Sequence, residues 1–333
     1  MEYFLINLNK NSNFETSFIK NKLLKKVDYE EINFIDLNKY EINNNLIVIY
    51  SGGDNHQIDK LKSIASQTGI YLLIHLSDET LQHDLSYYSY AKKVIRNYYN
   101  PFLIDKNIIT LPIGYKNATE RDKSEFITLS SRKYKWSFVG SMKNDRYKMI
   151  KKFSHLKQNF IHVTDSFFSS DHLKPKEYKE ILNNSIFVLC PRGYSNFESF
   201  RILESLENFT IPIFKRELFF DHLKPVYGQH IFLNSYTWKG LAKKVSTYLN
   251  NEQQLEIYFN ELMKWYDEYV ELLSINVEEF ITTNKVFDKK EKKISNQIYK
   301  ISFKISQINF RIQNLITIMI LKLKKFVKRK ISK

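Results

Sequence analysis

The sequence has a single cysteine and no hydrophobic run long enough to span a membrane. Cys190 excludes a disulfide within the chain, which fits a reducing cytoplasm. The most apolar stretch, LITIMIL from Leu315 to Leu321, is far shorter than the ~20 residues that a spanning helix needs. The first residues, MEYFLINLNK, have no apolar run of signal-peptide length. We therefore expect a cytoplasmic protein.

Several patterns that indicate a bound metal or a dinucleotide are also missing. No G-x-G-x-x-G follows the first predicted strand, which argues against a nucleotide-sugar epimerase of similar two-domain form. No Asp-x-Asp motif stands at the end of a strand, and no Cys/His spacing suits a metal site. We predict no metal.

Positive charge is concentrated at one end of the chain. The formal net charge is +15, and the segment from Lys289 to Lys333 has 14 Lys/Arg and one acid, Glu291. That segment therefore contributes +13, which leaves +2 for residues 1–288. A nucleic-acid enzyme would spread positive charge over its working surface, so this pattern predicts no nucleic-acid partner.

The hydrophobic content of 43% and the alternation of strand-like and helix-like stretches predict two folded α/β domains. In the first half, a buried strand is predicted at Leu46–Tyr50 and a helix at Asp59–Thr68. Further strands are predicted at Ile70–Leu76, at Lys92–Tyr98 and in IITLPIGYKN. After a polar connector at 117–135 the α/β pattern restarts, and residues 236–275 look wholly helical. We predict an acceptor-side domain at 1–125, a nucleotide-sugar-binding domain at 126–275 and a helical tail at 276–333.

The stretch VLCPRGYSNFESFRILESLENFTIPIF, from Val188 to Phe214, reads as strand, loop, helix and strand. In an open parallel sheet, ligands bind beyond the carboxyl ends of the strands, so the Pro-Arg-Gly loop should lie at a binding edge. Gly193 permits close approach of a ligand to the backbone. A helix is expected to begin near Ser195 or Asn196, with its N-terminus open to a phosphate.

The charged residues of this stretch suggest a nucleotide. Arg192 and Arg201 can make bidentate bonds to phosphate oxygens, and Glu204, three residues after Arg201, can accept hydrogen bonds from ribose hydroxyls. The ordinary alternative is that Arg201 and Glu204 form an exposed ion pair on the helix and that Pro-Arg-Gly is a simple turn.

The string CPRG…SFRILESL…IPI resembles the C-terminal signature of the exostosin-like glycosyltransferases of family 47. Ser199, Arg201, Glu204 and Pro212 fit the order of that signature, and a glycine usual before the last strand is replaced in ENFTIPI. FVGSMKNDR, which ends at Arg146, resembles the element that opens the second domain of that family. IHLSDE, VIRNYYNP and LPIGYKN resemble a subgroup that includes ribitol xylosyltransferase-like proteins and bacterial homologues.

This resemblance implies a GT-B fold, in which two Rossmann-like domains face a cleft. It also implies inversion at the anomeric carbon, a nucleotide-sugar donor with UDP as the expected nucleotide, and no cofactor or metal. Arg192, Gly193, Ser199 and Arg201 would stabilise the leaving diphosphate, with Arg146 as a further candidate, and Glu204 would hold the ribose.

An inverting transferase needs a base that takes the proton of the acceptor hydroxyl. The candidates in the first domain are Asp78 and Glu79, after the strand Ile70–Leu76, and Asp54, after Ser51-Gly52-Gly53. Asp78 could instead form an Asx turn or a helix cap. His75 reads as a satisfied core histidine, and Arg96 and Asn97 either line the cleft or hold the end of their strand.

The tail combines a heptad seam with a basic end. The seam consists of Ile294, Ile298, Ile301, Ile305, Ile308, Ile312, Leu315 and Met319. It predicts a helix that pairs two copies of the chain or docks on its body. The sequence LKLKKFVKRKISK follows and resembles an amphipathic helix on anionic lipid, and the alternative is a solubilising, partly disordered tail.

These features favour an enzyme that builds a surface polysaccharide, such as capsule or lipopolysaccharide, at the inner face of the cell membrane. Its partners would be a nucleotide sugar and a glycan, polyol-phosphate or lipid-linked acceptor. The alternatives are a catalytically inactive, membrane-attached scaffold with the same fold and a nucleic-acid-binding protein that uses the basic tail.

Overall fold

The computed structural model describes residues 2–8, 15–52, 55–69, 71–100, 103, 105–116, 118–166, 171–193, 196, 198–216 and 223–283. Asp54 and the tail from Lys289 onward lie outside these residues. The base role of Asp54, the heptad seam, the homodimer and the membrane contact therefore stay predictions.

The chain forms two compact units, each with its own parallel sheet. Met1–Lys10 and Tyr29–Leu111 belong to the first unit, and Asn11–Asp28 and Pro112–Thr283 to the second. The boundary predicted at residue 125 thus lies inside the second unit. Pattern reading could not assign the early segment to the second unit, because the Phe18 ring packs on Tyr115, with ring centroids 5.4 Å apart, far along the chain.

The first unit is a six-stranded sheet in the order β2-β1-β3-β4-β5-β6, and its neighbouring strands are parallel. The strands are β1 Tyr3–Asn7, β2 Tyr29–Glu31, β3 Leu46–Tyr50, β4 Tyr71–His75, β5 Ala91–Asn97 and β6 Ile108–Leu111. Its helical elements are α2 Asn55–Thr68 and the 3-10 turns Phe34–Lys39 and Ser86–Tyr90.

The core of the first unit follows from its apolar strands. All five residues of β3 and of β4 are buried, as expected for strands covered on both faces. Leu61 and Ile64 of α2 pack in the same cluster as Val48 and Leu73. The strand β1 was not predicted, although it lies inside the sheet between β2 and β3.

The second unit is a five-stranded parallel sheet in the order β11-β10-β9-β7-β8. The strands are β7 Tyr134–Val139, β8 Asn159–His162, β9 Ser185–Leu189, β10 Ile211–Lys215 and β11 Asn234–Ser235. The helical elements are α1 Thr16–Phe18 with a π-helical turn Ile19–Leu23, 3-10 turns Lys123–Glu125 and Leu129–Ser131, α3 Arg146–Phe153, α4 Pro175–Asn183, α5 Arg201–Glu207, α6 Lys224–Tyr227, α7 Trp238–Leu249 and α8 Glu252–Thr282.

The region predicted as one helical stretch consists of two helices. Asn250 ends α7, and the side chain of Asn251 caps α8 by accepting a hydrogen bond from the backbone N–H of Gln254 at 3.0 Å. Within the described part of the chain, we find no helix that combines the length and the apolar character needed to cross a membrane. The two parallel α/β sheets confirm the predicted fold class.

Candidate functional site

The second sheet has its topological switch point between β7 and β9. These strands are neighbours, but β7 is followed along the chain by β8 on its other side, while β9 continues to β10. The connections therefore leave β7 and β9 in opposite directions and open a crevice beyond their carboxyl ends. The loops at this crevice begin with Gly140-Ser141 and with Pro191-Arg192-Gly193.

Arg201 fixes the first of these loops. Its Nε and Nη2 donate to the carbonyl of Val139 at 3.0 and 2.8 Å, and its Nη1 donates to the hydroxyl of Ser199 at 3.2 Å. Gly140 has a φ of +145°, and an added Cβ there would overlap the Arg201 guanidinium. These bonds use three of the five N–H groups of Arg201. Among the described residues, the remaining N–H on each Nη has no hydrogen-bond partner and is left for a ligand.

Arg146 ties the two loops together. Its Nη1 donates to the carbonyl of Ser141 and its Nη2 to the carbonyl of Arg192, both at 2.8 Å. Arg146 is buried, whereas Arg192 and Gly193 are half-buried. The structure thus brings the side chains of Arg146 and Arg201 and the backbone of Arg192 to one crevice. Arg146 and Arg201 also position the loops, which the sequence did not indicate.

Glu204 lies on α5 with its carboxylate in the protein interior. It is 1% exposed, and its Oε2 accepts a hydrogen bond from the Tyr178 hydroxyl at 2.7 Å. Its Oε1 has no hydrogen-bond partner among the described residues, and the nearest cation is Lys116, whose Nζ is 3.9 Å away. The alternative of an exposed Arg201–Glu204 ion pair is therefore wrong.

The helix after the Pro-Arg-Gly loop begins later than predicted. It starts at Arg201, with no side-chain cap at Phe200, and it is seven residues long. Asn196 instead accepts a hydrogen bond from the backbone N–H of Glu198 at 3.1 Å, which is a turn and not a helix cap. The helix start predicted near Ser195 or Asn196 is therefore wrong.

Glu198 is a buried carboxyl of the same loop that sequence reasoning missed. Its Oε1 accepts hydrogen bonds from the backbone N–H of Ile113 at 2.9 Å and from the Tyr227 hydroxyl at 2.8 Å. Burial raises the pKa of Glu198 to about 7. No local pattern distinguishes it from an exposed glutamate, since both of its partners are distant in sequence.

In the first unit, Asp78 holds structure together. Its Oδ2 accepts a hydrogen bond from Arg96 Nη2 at 2.9 Å, and its Oδ1 accepts from the backbone N–H groups of Gln82 and His83 at 2.8 and 3.1 Å. Asp78 is 1% exposed and Arg96 has no exposed side-chain surface. The N–H donors lie four and five positions after Asp78, so Asp78 holds a longer loop and forms neither the Asx turn nor the helix cap that was the alternative. These contacts leave Asp78 unsuited to a base that must reach a substrate.

The structure also shows the surroundings of the other first-unit residues that were named from the sequence. Glu79 is half-buried in the turn that follows Asp78. Asn97 accepts a hydrogen bond from the backbone N–H of Ser77 at 3.1 Å, so Arg96 and Asn97 hold the ends of their strands. His75 has no exposed surface and has hydrogen-bond partners at both ring nitrogens, Tyr88 at Nδ1 and His83 and Tyr87 at Nε2. It is the satisfied core histidine that was predicted.

His75, Asp78 and His83 place ligand atoms within 4.8 Å of one another. Both oxygens of Asp78 already have donors, and a cation there would meet the buried positive charge of Arg96. We assign the cluster to hydrogen bonding.

Comparison with known families identifies the second unit. The model of the RXYLT1 C-terminal domain family matches residues 115–287, more than half of the 333 residues. The chain belongs to this family. The match confirms the ribitol xylosyltransferase-like part of the resemblance read from the sequence. No curated protein matches the chain by sequence.

Solved structures place the RXYLT1-type chain in a fold class. A crystal structure of an α1,3-fucosyltransferase matches with a TM-score of 0.52 and 12% identity, over 85% of this chain and 91% of that one. An alpha-glucosyltransferase in complex with UDP and a 13-mer DNA matches with a TM-score of 0.52 and 9% identity, over 85% and 99%. At such identities the likeness concerns the fold alone. The fold is GT-B, as predicted.

The RXYLT1 match covers the donor-side candidates and none of the base candidates. Arg146, Arg192, Ser199, Arg201 and Glu204 lie within residues 115–287. The whole sheet of the first unit, with its loops after β3 and β4, precedes the match. Family membership therefore leaves the acceptor side to be argued from the geometry of this chain.

Proposed function

We propose that this protein is an inverting, metal-independent glycosyltransferase that transfers a hexose or pentose from a nucleotide-sugar donor, with UDP as the expected nucleotide. One observation carries the proposal. The guanidinium groups of Arg146 and Arg201 and the backbone of Arg192 lie at the crevice at the switch point of the second sheet, where this class of sheet binds its ligands. The resemblance to exostosin-like enzymes agrees with it.

Transfer of the sugar leaves a diphosphate on which negative charge grows as the bond to the anomeric carbon breaks. The remaining N–H groups of Arg201, held in place through Val139 and Gly140, stabilise that charge. Ser199 orients the guanidinium through its hydroxyl. Because these donors are positioned before the donor sugar binds, little reorganisation is needed during the reaction.

Glu204 is the residue we assign to the ribose. A buried carboxylate oxygen without a hydrogen bond destabilises the unliganded protein by about 1–3 kcal/mol. A ribose hydroxyl would donate to Glu204 Oε1, while Tyr178 keeps Oε2 in place. The carboxylate therefore favours a ligand with hydroxyl donors over inorganic diphosphate.

Nucleotide binding tests this assignment through thermal stability with UDP, GDP, CMP and ADP. At 100 times its dissociation constant, a nucleotide should stabilise the wild-type protein by about 2.7 kcal/mol, and we expect UDP to be the one that does so. Glu204→Gln should weaken UDP binding about tenfold or more. The Tyr178 hydroxyl would hold the amide oxygen at the position of Oε2, which leaves the amide N–H₂ at the position of Oε1, where it cannot accept the ribose hydrogen bond.

The control for this measurement is Glu180→Gln, the same change at an exposed position of α4, which should leave the UDP shift unaltered. If no nucleotide stabilises the wild type, the crevice is not a donor site, and the inactive scaffold becomes the better hypothesis.

We further propose that the acceptor is a glycan, polyol phosphate or lipid-linked acceptor of surface polysaccharide synthesis, reached at the inner face of the cell membrane. The 14 Lys/Arg of residues 289–333 support this location, as does the predicted pairing or docking seam. Deletion of residues 289–333 should shift the protein from the membrane fraction to the soluble fraction of cells. A truncated protein that still sediments with membranes would contradict the assignment of the tail as anchor.

A further inference from the structure

Two helices of the second unit, α3 and α7, carry positive charge only. α3 has four basic residues and α7 has three, and neither helix contains an acid. The long helix α8 is the reverse, with eight acids and one lysine, Lys264. The net charge of +2 for residues 1–288 therefore hides a separation of charge within the second unit. A surface with charge of one sign attracts partners of the opposite sign.

The helices α3 and α7 lie side by side on the second sheet. Phe153 of α3 packs on Trp136 of β7, with ring centroids 5.6 Å apart, and α7 packs on α3 and on the strands β10 and β11. The indole N–H of Trp238, the first residue of α7, donates to Asp145, the residue before α3, at 2.9 Å. The two helices thus begin next to each other, and their outer sides form one surface.

The outer side of both helices consists largely of lysines. Met149 of α3 and Val245 of α7 are buried, which turns the lysines between the apolar positions outward. Within the part of the chain that the structure describes, five exposed lysines have no ion-pair partner: Lys148, Lys151, Lys152, Lys239 and Lys243. Lys239 lies in the first turn of α7, where the helix dipole disfavours a cation. Helix stability therefore does not explain its charge.

An aromatic side chain lies among these lysines. Tyr147 of α3 is 69% exposed, more than any other large hydrophobic residue that the structure describes in the second unit. Lys151 is one helical turn further along the same side of α3. A tyrosine has an apolar ring and a polar hydroxyl, which suit the boundary between lipid headgroups and hydrocarbon. We call the five lysines and Tyr147 the α3–α7 face.

We propose that the α3–α7 face lies against the headgroups of an anionic lipid bilayer. Lysine is a hydrated point charge and suits a diffuse layer of lipid phosphates, whereas the fork of an arginine suits one defined anion. Arg146, the one arginine of the two helices, is buried and bound to loop carbonyls. The tail from Lys289 to Lys333 cannot cover the face, because its net charge of +13 would be repelled.

The face orients a chain that the tail has already brought to the bilayer, so the inference rests on the proposed membrane location and not on the donor chemistry. Five lysines carry less charge than the 14 Lys/Arg of residues 289–333, and loss of the tail still releases the protein. The acidic helix α8 is repelled by the same lipids and turns away from them. Because α3 begins at Arg146, beside the crevice, this orientation brings the donor site close to a lipid-linked acceptor.

The orientation can be measured with one fluorophore in the full chain. Tyr147→Cys and Ile257→Cys each provide one labelling site, since Cys190 is buried and burial raises its pKa to about 12. Ile257, 53% exposed on α8, is the matched control. The vesicles contain equal amounts of phosphatidylglycerol and phosphatidylcholine with a spin-labelled quencher lipid. We expect strong quenching at position 147 and little at 257. Equal quenching at both positions in vesicle-bound protein would overturn the proposal.

The contribution of charge is measured by sedimentation of the full chain with the same vesicles at low salt. Lys148→Gln, Lys151→Gln and Lys239→Gln should each weaken binding about fivefold, and the difference from the wild type should vanish at high salt. Lys264→Gln removes the same charge from α8, where the side chain is 79% exposed, and should leave binding unchanged. Equal losses for Lys239→Gln and Lys264→Gln would show that net charge decides and the face does not.

Each rival partner gives a result of its own. Unchanged vesicle binding by Lys239→Gln, with lost binding to a DNA duplex, would assign the face to nucleic acid. Unchanged vesicle binding with self-association that both Lys239→Gln and Glu268→Gln abolish would assign it to α8 of a second copy. A full chain that does not bind the vesicles refutes the membrane location and the face together. The thermal shift with UDP tests the donor site separately in every case.

Discussion

Replacement of Asp78 with alanine should lower the free energy of unfolding by about 3–5 kcal/mol, because it leaves the guanidinium of Arg96 buried and unpaired. Arg96 has no exposed side-chain surface, and its Nη2 donates to Asp78 at 2.9 Å. The substitution also removes the acceptor for the N–H groups of Gln82 and His83. Urea unfolding followed by circular dichroism measures the change.

The matched control is Asp59→Ala, which breaks an exposed ion pair with Lys62 at 3.1 Å. Exposed pairs of this kind contribute about 0.2–1 kcal/mol, so the control should be nearly silent. An Asp78→Ala protein that keeps wild-type stability and loses only transfer would contradict the structural role and return Asp78 to the candidate bases.

Replacement of Glu207 with alanine should lower the free energy of unfolding by about 2–4 kcal/mol, since it leaves buried donors without an acceptor. Glu207 has no exposed surface. Its carboxylate accepts hydrogen bonds from the Tyr266 hydroxyl at 2.6 Å and from the backbone N–H of Arg121 at 2.8 Å, and it pairs with Lys22 at 3.0 Å. The same unfolding experiment, with tryptophan fluorescence as a second probe, reports the loss.

Two further variants identify the cause of that loss. Glu261→Ala, at an exposed position of α8, should change stability by less than about 0.5 kcal/mol. Lys22→Met should cost less than Glu207→Ala, because the Lys22 side chain is 23% exposed and its charge can be hydrated. Equal costs for Glu207→Ala and Glu261→Ala would show that the buried contacts of Glu207 contribute nothing.

Strands that are buried on both faces could be predicted, because they must be apolar along their whole length. Leu46–Tyr50 was predicted with the observed bounds, and the strand observed as Tyr71–His75 within one residue at each end. The strand Tyr3–Asn7 was missed, since YFLIN stands among polar residues and looks like a chain end. Its place between β2 and β3 depends on pairing, which is not a local property.

The donor-side candidates could be named from the sequence because a strand end, a glycine loop and nearby charges are typical of a binding edge. Their contacts could not be predicted from the sequence. Arg201 donates to Val139, which is 62 positions away, and Arg146 to the carbonyl of Arg192, 46 positions away. Burial of Glu204 depends on Tyr178, a residue of another helix. A buried carboxylate and an exposed one therefore look the same in the sequence.

The sequence by itself determined two parallel α/β units, the Pro-Arg-Gly edge and the charges that converge on it. These follow from short-range rules, in which the period of apolar residues sets the element and glycine sets the turn. Only the tertiary structure decided that Asp78 stabilises Arg96 and that the His83 ring lies over Gly52. Burial and hydrogen-bond partners set the protonation of a side chain, and both arise from segments that meet only when the chain is folded.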